Sequence, residues 1–243
     1  MQILRRGGEH LEAREYWRWV ALAVVVFAAV VAAGVIARHT GTMGLPPALG
    51  ILAPIVIVFL VARRPLRRIL RRIRAARKGR LGERLVTDLL ARLPDEYYLV
   101  NDVVLGAGNV DHVITGPCGV VVIETKRIAG QIRCEGDQWF VNGRRTKSYS
   151  RQAKAGAIAV RTFLAARHPE LRTTFVRAVV VFTHPLCKLR VDRAEVAVAR
   201  FSELLGLISE FGRSEQLSQD LAHAAARSLT GSEEAKSLGR TSR

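Results

Sequence analysis

Residues 110–126, VDHVITGPCGVVVIETK, leave the chain little choice of local structure. Two runs rich in Val and Ile flank Gly-Pro-Cys-Gly, and β-branched residues on either side of such a turn predict an antiparallel hairpin. Side chains alternate along a strand, so Glu124 and Lys126 share one face while Ile123 and Thr125 share the other. If Pro117 and Cys118 are the whole loop, Gly116 faces Gly119 and opposed residues sum to 235, which sets Asp111 across from Glu124. Like charges so placed need a compensating cation, and a divalent ion held by oxygen ligands is the simplest. A type I turn with a bulge at Gly119 shifts the sum to 236 and sends the two carboxylates to opposite faces. An isolated E-x-K is by default a surface ion pair, and spacing alone admits all of these arrangements.

Around the hairpin the pattern is mixed. A helix over 79–93, with Leu81, Leu85, Leu89 and Leu93 along one side, ends at Pro94. Strands over 97–105, 110–116 and 120–126 form an antiparallel meander, which 130–141 extends. A second helix covers 148–166, and the nearly unbroken apolar run 177–185 reads as a strand covered on both faces. A short strand near 196–198, helices near 202–211 and 214–229, and a polar, disordered tail over 230–243 complete the prediction. His112 lies on the face opposite Asp111 and reads as a packed, hydrogen-bonded residue. Cys118, Cys134 and Cys187 have an odd count and no metal-type spacing, so they read as small apolar fillers in a reducing cytosol.

The first 62 residues obey different rules. Residues 20–37 and 40–62 contain no charge, and each approaches the ~20 residues that cross a bilayer as helix. They predict a membrane anchor of two transmembrane helices, about 17–37 and 44–62, with Tyr16, Trp17 and Trp19 at the interface. A cleaved signal peptide is the competing reading of the first run, but such apolar regions are usually shorter and no second span follows them. Residues 63–80 hold ten Arg or Lys and no acid, so by the positive-inside rule both termini face the cytoplasm from the plasma (inner) membrane.

The formal net charge of +17 suggests nucleic acid until it is divided along the chain. Residues 1–62 carry +2 and 63–80 carry +10, leaving +5 for the remaining 163. The excess belongs to a basic juxtamembrane amphipathic helix over 63–78, whose Leu66, Ile69, Leu70 and Ile73 make an apolar stripe suited to anionic lipid. The same arginines also suit tracking along DNA.

Gly82-Glu83 in the first helix, VDHVITGPCGVVVIETKRIAGQI over 110–132, Trp139 and Gln152 together resemble the nuclease-related domain (NERD) family, a branch of the PD-(D/E)xK nuclease superfamily. The resemblance covers roughly residues 79–190 and leaves the membrane anchor outside. It implies an α/β fold with a restriction-endonuclease-like αβββαβ core, here preceded by a transmembrane helical hairpin, and a cytoplasmic domain over 79–229. It implies hydrolysis of phosphodiester bonds, in DNA more than RNA, with Mg²⁺ or Mn²⁺ bound by Asp111, Glu124 and the Thr125 carbonyl. Lys126 would position or deprotonate the attacking water, Glu83 would hold a metal-bound water, and Gln152 would orient Lys126 or the phosphate. Many members of the superfamily cut as dimers, so a homodimer is a further expectation. Outside the family context Glu83 is an ordinary solvated helix residue, and Gln152 and Trp139 are scaffold.

The rival expectation is a catalytically inactive, membrane-anchored module that keeps the fold and binds nucleic acid or lipid. Near-neutral charge in the cytoplasmic part favours it, because DNA enzymes usually present a broad basic surface. The intact Asp111, Glu124 and Lys126 set argues against it. A third possibility is a cytoplasmic part that only mediates assembly.

Overall fold

The computed structural model describes residues 2–5, 25, 28–29, 67, 70, 73–106, 108–214 and 217–231. Contacts divide the chain into Met1–Gly7 with Lys78–Arg243 and, separately, Gly8–Arg77. Among the described residues no helix is long and apolar enough to cross a membrane. The expected spans lie outside the described residues except for helical Val25, Ala28 and Ala29, as do most of the basic segment before residue 73 and the tail beyond Gly231.

The molecule is a mixed α/β fold. Helix α1 runs over 73–90, starting inside the basic run rather than at Gly79, and its last turn tightens through Arg92 N–H to Leu89 O at 3.1 Å and Leu93 N–H to Leu90 O at 3.0 Å. The expected leucine stripe is rotated: Gly82, Val86, Leu89, Leu90 and Leu93 face inward, while Leu81 is 46% exposed. Strand β1 (Gln2–Arg5) lies parallel to β2 (Tyr98–Leu105), which continues antiparallel through β3 (Gly108–Gly116) to β4 (Gly119–Lys126).

A correction follows β4. Strands β5 (Gly130–Glu135), β6 (Gln138–Val141) and β7 (Arg144–Thr146) do not extend the meander. The free edge of β4 is taken along its whole length by β8 (Val176–Phe182), parallel, from Val120 opposite Val176 to Lys126 opposite Phe182. A strand apolar on both faces belongs at a sheet centre, and it displaces the half-polar β5. The displaced strands build a second sheet, order β7-β6-β5-β9, with β9 (Cys187–Asp192) parallel to β5 and not anticipated from sequence. In the first sheet β10 (Ala197–Arg200) follows β8 in parallel.

Helices cover both faces of the six-stranded sheet. α1 and α3 (Leu204–Ser214) bury Val86, Leu90, Leu204 and Ile208 on Leu99, Ile114, Val121 and Ile123. α2 (Tyr149–Ala165) and α4 (Gln219–Thr230) bury Val160, Leu164, Ala226 and Leu229 on Val100, Val113, Val120 and Val122. Each such Val, Leu or Ile side chain contributes about 1.5–3 kcal/mol of burial. The element order α1, β2, β3, β4, α2, β8 is the expected αβββαβ, with β5–β7 inserted ahead of α2.

Candidate active site

The hairpin closes as its shorter loop requires. Gly116 faces Gly119, whose φ of 75° lies in the left-handed region that glycine tolerates, and opposed residues follow the sum of 235 up to His112 and Ile123. One residue further stand Asp111 and Glu124, where the paired positions stop. There the Thr125 backbone N–H donates to Asp111 Oδ2 at 2.8 Å.

Asp111 owes its freedom to a double irregularity. Val110 and Val113 enter the same core, as do Val100 and Val103, so alternation breaks between them on both strands. The β2–β3 pairing passes over Asp102 and Asp111, and Asp102 has a φ of 57°. Matching breaks keep the register while releasing the two aspartates from it, as bulges beside functional sites do.

Glu124 and Lys126 point toward α2, as alternation requires. Lys126 Nζ forms an ion pair with Glu124 Oε1 and donates to Gln152 Oε1 at 3.2 Å. The Tyr149 ring centroid lies 5.4 Å from the same nitrogen, and Tyr149 abuts Trp139 edge-on at 5.1 Å. Trp139 is fully buried and its Nε1–H donates to Ser150 Oγ at 2.9 Å, so it holds the start of α2 and is scaffold. Ser148 caps that helix by accepting from Arg151 N–H at 3.0 Å, which fixes the turn carrying Tyr149 and Gln152.

Glu83 approaches from the other layer because its neighbour is glycine. A Cβ on Gly82 would lie 3.0 Å from Thr183 Oγ1 and 3.2 Å from Arg127 Cβ and Thr125 Cγ2. Only a bare backbone lets α1 come this close to the end of β4. Burial first, then Asp102 and Glu124, raises the Glu83 carboxyl above its ordinary value. Asp111 is pushed up to about 7, by burial first and Glu124 second, with Glu83 adding and the Thr125 N–H and Lys126 opposing.

The structure therefore brings Asp111, Glu124, Lys126 and Gln152 to one place and sets Glu83 within electrostatic reach. Sequence reasoning missed Tyr149, which carries no local signal, and Asp102, whose only mark is a charge interrupting the apolar strand YLVNDVVL. His112 is buried and away from the group, its Nδ1 2.7 Å from Asn101 Oδ1. Burial drives its pKa down to about 3, so the ring is neutral. The three cysteines are free, two of them buried. A pocket of about 220 Å³ beside the group is lined by Asn109, Val110, Glu124, Gln152 and Gly156. The larger cavity, about 620 Å³ between Ile158, Phe175 and Phe211, contains none of these acids. Among the described residues no three His, Cys, Asp or Glu side chains converge to hold a metal ion.

Residues 78–183 match the family model of the nuclease-related domain, NERD. The matched segment opens within α1, takes in Asp111, Glu124, Lys126 and Gln152, and closes at Thr183, whose N–H bonds Lys126 O at 3.0 Å. The matched segment thus contains every site residue, whereas β9, β10, α3 and α4 lie beyond it. A solved structure of Pyrococcus furiosus SfsA in complex with Ca²⁺ is similar at 19% identity and a TM-score of 0.25, over 55% of this chain and 52% of that one. The chain thus spans about half of that protein, and at this score the likeness says nothing about chemistry. No curated protein matches the chain.

Proposed function

We propose that this chain is a membrane-tethered, divalent-metal-dependent nuclease whose restriction-endonuclease-like domain, residues 79–229, hydrolyses phosphodiester bonds of DNA on the cytoplasmic side of the plasma membrane. The observation that carries it is Asp111 within electrostatic reach of Glu124 just beyond the last paired position, held by the Thr125 N–H, with Lys126 clamped between Glu124 and Gln152. The donor set fits Mg²⁺ or Mn²⁺: Asp111 and Glu124 are hard oxygen ligands that repel each other, and the Thr125 carbonyl would be the further ligand. When bound, such an ion supplies Lewis-acid stabilisation of charge on the phosphodiester and acidifies water.

The chain's own groups do the rest. An ammonium has three N–H donors, and two on Lys126 are engaged by Glu124 and Gln152, so the third serves the attacking water or a phosphate oxygen. Gln152 fixes its direction, Tyr149 supports it from below, and Glu83 adds a carboxylate that draws a proton or orients water from the α1 side. Tethering rests on the two charge-free runs, and the pairing of Gln2–Arg5 with β2 agrees with an N-terminus on the domain's side. Residues 63–80 would hold anionic lipid, and cutting both strands would call for a homodimer.

The test is incubation of the full chain with plasmid DNA and Mg²⁺ or Mn²⁺. Nicking is expected, and Asp111→Ala and Lys126→Ala should each reduce it at least 100-fold; cleavage surviving both equally would sink the proposal. A second reading, a non-catalytic binding module, is favoured by the pairing of Glu124 with Lys126 and by the lack of a three-ligand group among the described residues. Calorimetry separates them, since only the nuclease should bind Mn²⁺ in a manner dependent on Asp111 and Glu124.

A further inference from the structure

Glu83, Asp102, Asp111 and Glu124 form a chain of electrostatically interacting carboxylates, and such a group repels a polyanion, so a nuclease with this site needs cations nearby to draw the substrate in. The second sheet supplies them. Its inner face, Ile132, Cys134 and Trp139, packs on Tyr149, Val180 and Phe182, while Gln131, Arg133 and Glu135 alternate outward into solvent.

The register sets the outer face in rows. Arg190 of β9 lies beside Arg133 of β5, Arg133 faces Phe140 of β6, and Phe140 faces Arg145 of β7. One row thus crosses all four strands, about 14 Å at ~4.8 Å per strand, an axial length over which one strand of a duplex carries roughly four phosphates at ~3.4 Å of helix axis each. The Arg133 guanidinium lies 4.6 Å from the Phe140 ring centroid, which braces it. Lys188 stands in the preceding row beside Gln131.

Charge is graded along the strands. The outward acids, Glu135 and Asp192, share the last row, at the end remote from Gly130. Lys188, Arg190 and Arg145 are exposed and have no ion pair among the described residues. Arg133 pairs with Glu135 at 2.7 Å with both side chains about half exposed, an ion pair worth at most ~1 kcal/mol and readily exchanged for phosphate. The basic end adjoins the site through the chain itself: β5 begins four residues after Lys126, a reach of at most ~14 Å. Asn142 Oδ1 accepts from Gln131 N–H at 2.9 Å and ties the β6–β7 turn to that end.

We infer that the outer face of the four-stranded sheet, through Lys188, Arg190, Arg133 and Arg145, tracks the phosphate backbone of the DNA presented to Asp111 and Glu124. The inference rests on the nuclease reading and names where that site's substrate lies.

The test uses the full chain in neutral detergent and a fluorescein-labelled 20-base-pair DNA, with EDTA present so that binding is read without cleavage. Lys188→Ala/Arg190→Ala/Arg145→Ala should weaken binding about tenfold or more and lower the slope of log K against log salt by ~2–3, at ~0.9 for each phosphate no longer neutralised. Arg190→Lys/Arg145→Lys, which keeps the charge, should retain the slope. A triple variant that melts like the parent, binds DNA as tightly and keeps the slope overturns the inference, as does one that loses only its affinity for phosphatidylserine vesicles. Asp111→Asn distinguishes the two failures: it should abolish Mn²⁺-dependent cleavage while DNA affinity in EDTA is equal to or tighter than the parent's. If the parent never cleaves but the sheet variants lose DNA, the surface stands and the nuclease reading falls. If Asp111→Asn kills cleavage while the sheet variants bind and cut normally, the reverse holds.

Discussion

Asp111 carries opposing demands in one side chain, since it is mostly buried, faces Glu124 and yet accepts a backbone N–H. Its carboxyl is held up to about 7, against about 3.9 unfolded. A raised acid contributes its stability in full below the unfolded value and loses it as pH climbs through the folded one. The metal-free chain should therefore lose stability between about pH 4 and pH 7 on account of this residue. Asp111→Asn should raise the melting temperature in EDTA at pH 8 by several degrees, roughly 1–3 kcal/mol, and change it little below about pH 4. A variant no more stable than the parent at pH 8 contradicts the buried-pair account. On the proposed nuclease reading Tyr149 positions Lys126, and Tyr149→Leu should lower kcat about fivefold with KM nearly unchanged, in line with ~0.5–1 kcal/mol for a cation over a ring. Tyr149→Phe keeps the ring and should restore the rate, which a merely structural loss would not distinguish.

At the scale of elements, the decisive approach is that of α1 to the end of β4. Gly82→Ala would gain about 1 kcal/mol of helix propensity while pushing on Thr183, Arg127 and Thr125 at 3.0–3.2 Å. Stability should change by only a few degrees, whereas cleavage should fall at least tenfold because Glu83 is carried away from Glu124. Circular-dichroism melting beside a plasmid-nicking assay checks both halves. Equal activity in the variant would remove Glu83 from the site. Gly156 has a similar place in α2, where a Cβ would meet Val110 at 3.2 Å and Val122 at 3.3 Å.

At the scale of the whole molecule, the nuclease-related match ends at Thr183, yet the cores do not. Leu204 and Ile208 close one face of the first sheet, and Ala222, Ala225, Ala226 and Leu229 close the other. A chain stopped after residue 200 should therefore fail to melt cooperatively, while one stopped after Gly231 should melt like the parent. Cooperative unfolding of the shorter chain would mean that α3 and α4 are accessory.

What the sequence by itself determined is what neighbours along the chain control. The two-residue Pro117–Cys118 loop and its glycines dictate the register of β3 on β4 up to His112 and Ile123, which brings Asp111 and Glu124 to the same end of the hairpin. Alternation puts Lys126 beside Glu124, and an apolar run marks β8 as central. The tertiary structure alone decided that β8 would take the edge of β4 and turn β5 into a second sheet, because competition for a sheet edge depends on a strand some fifty residues away. It also decided that Tyr149 would underlie Lys126 and that Glu83 would reach Glu124 over Gly82, since side chains far apart in sequence meet only after the layers pack.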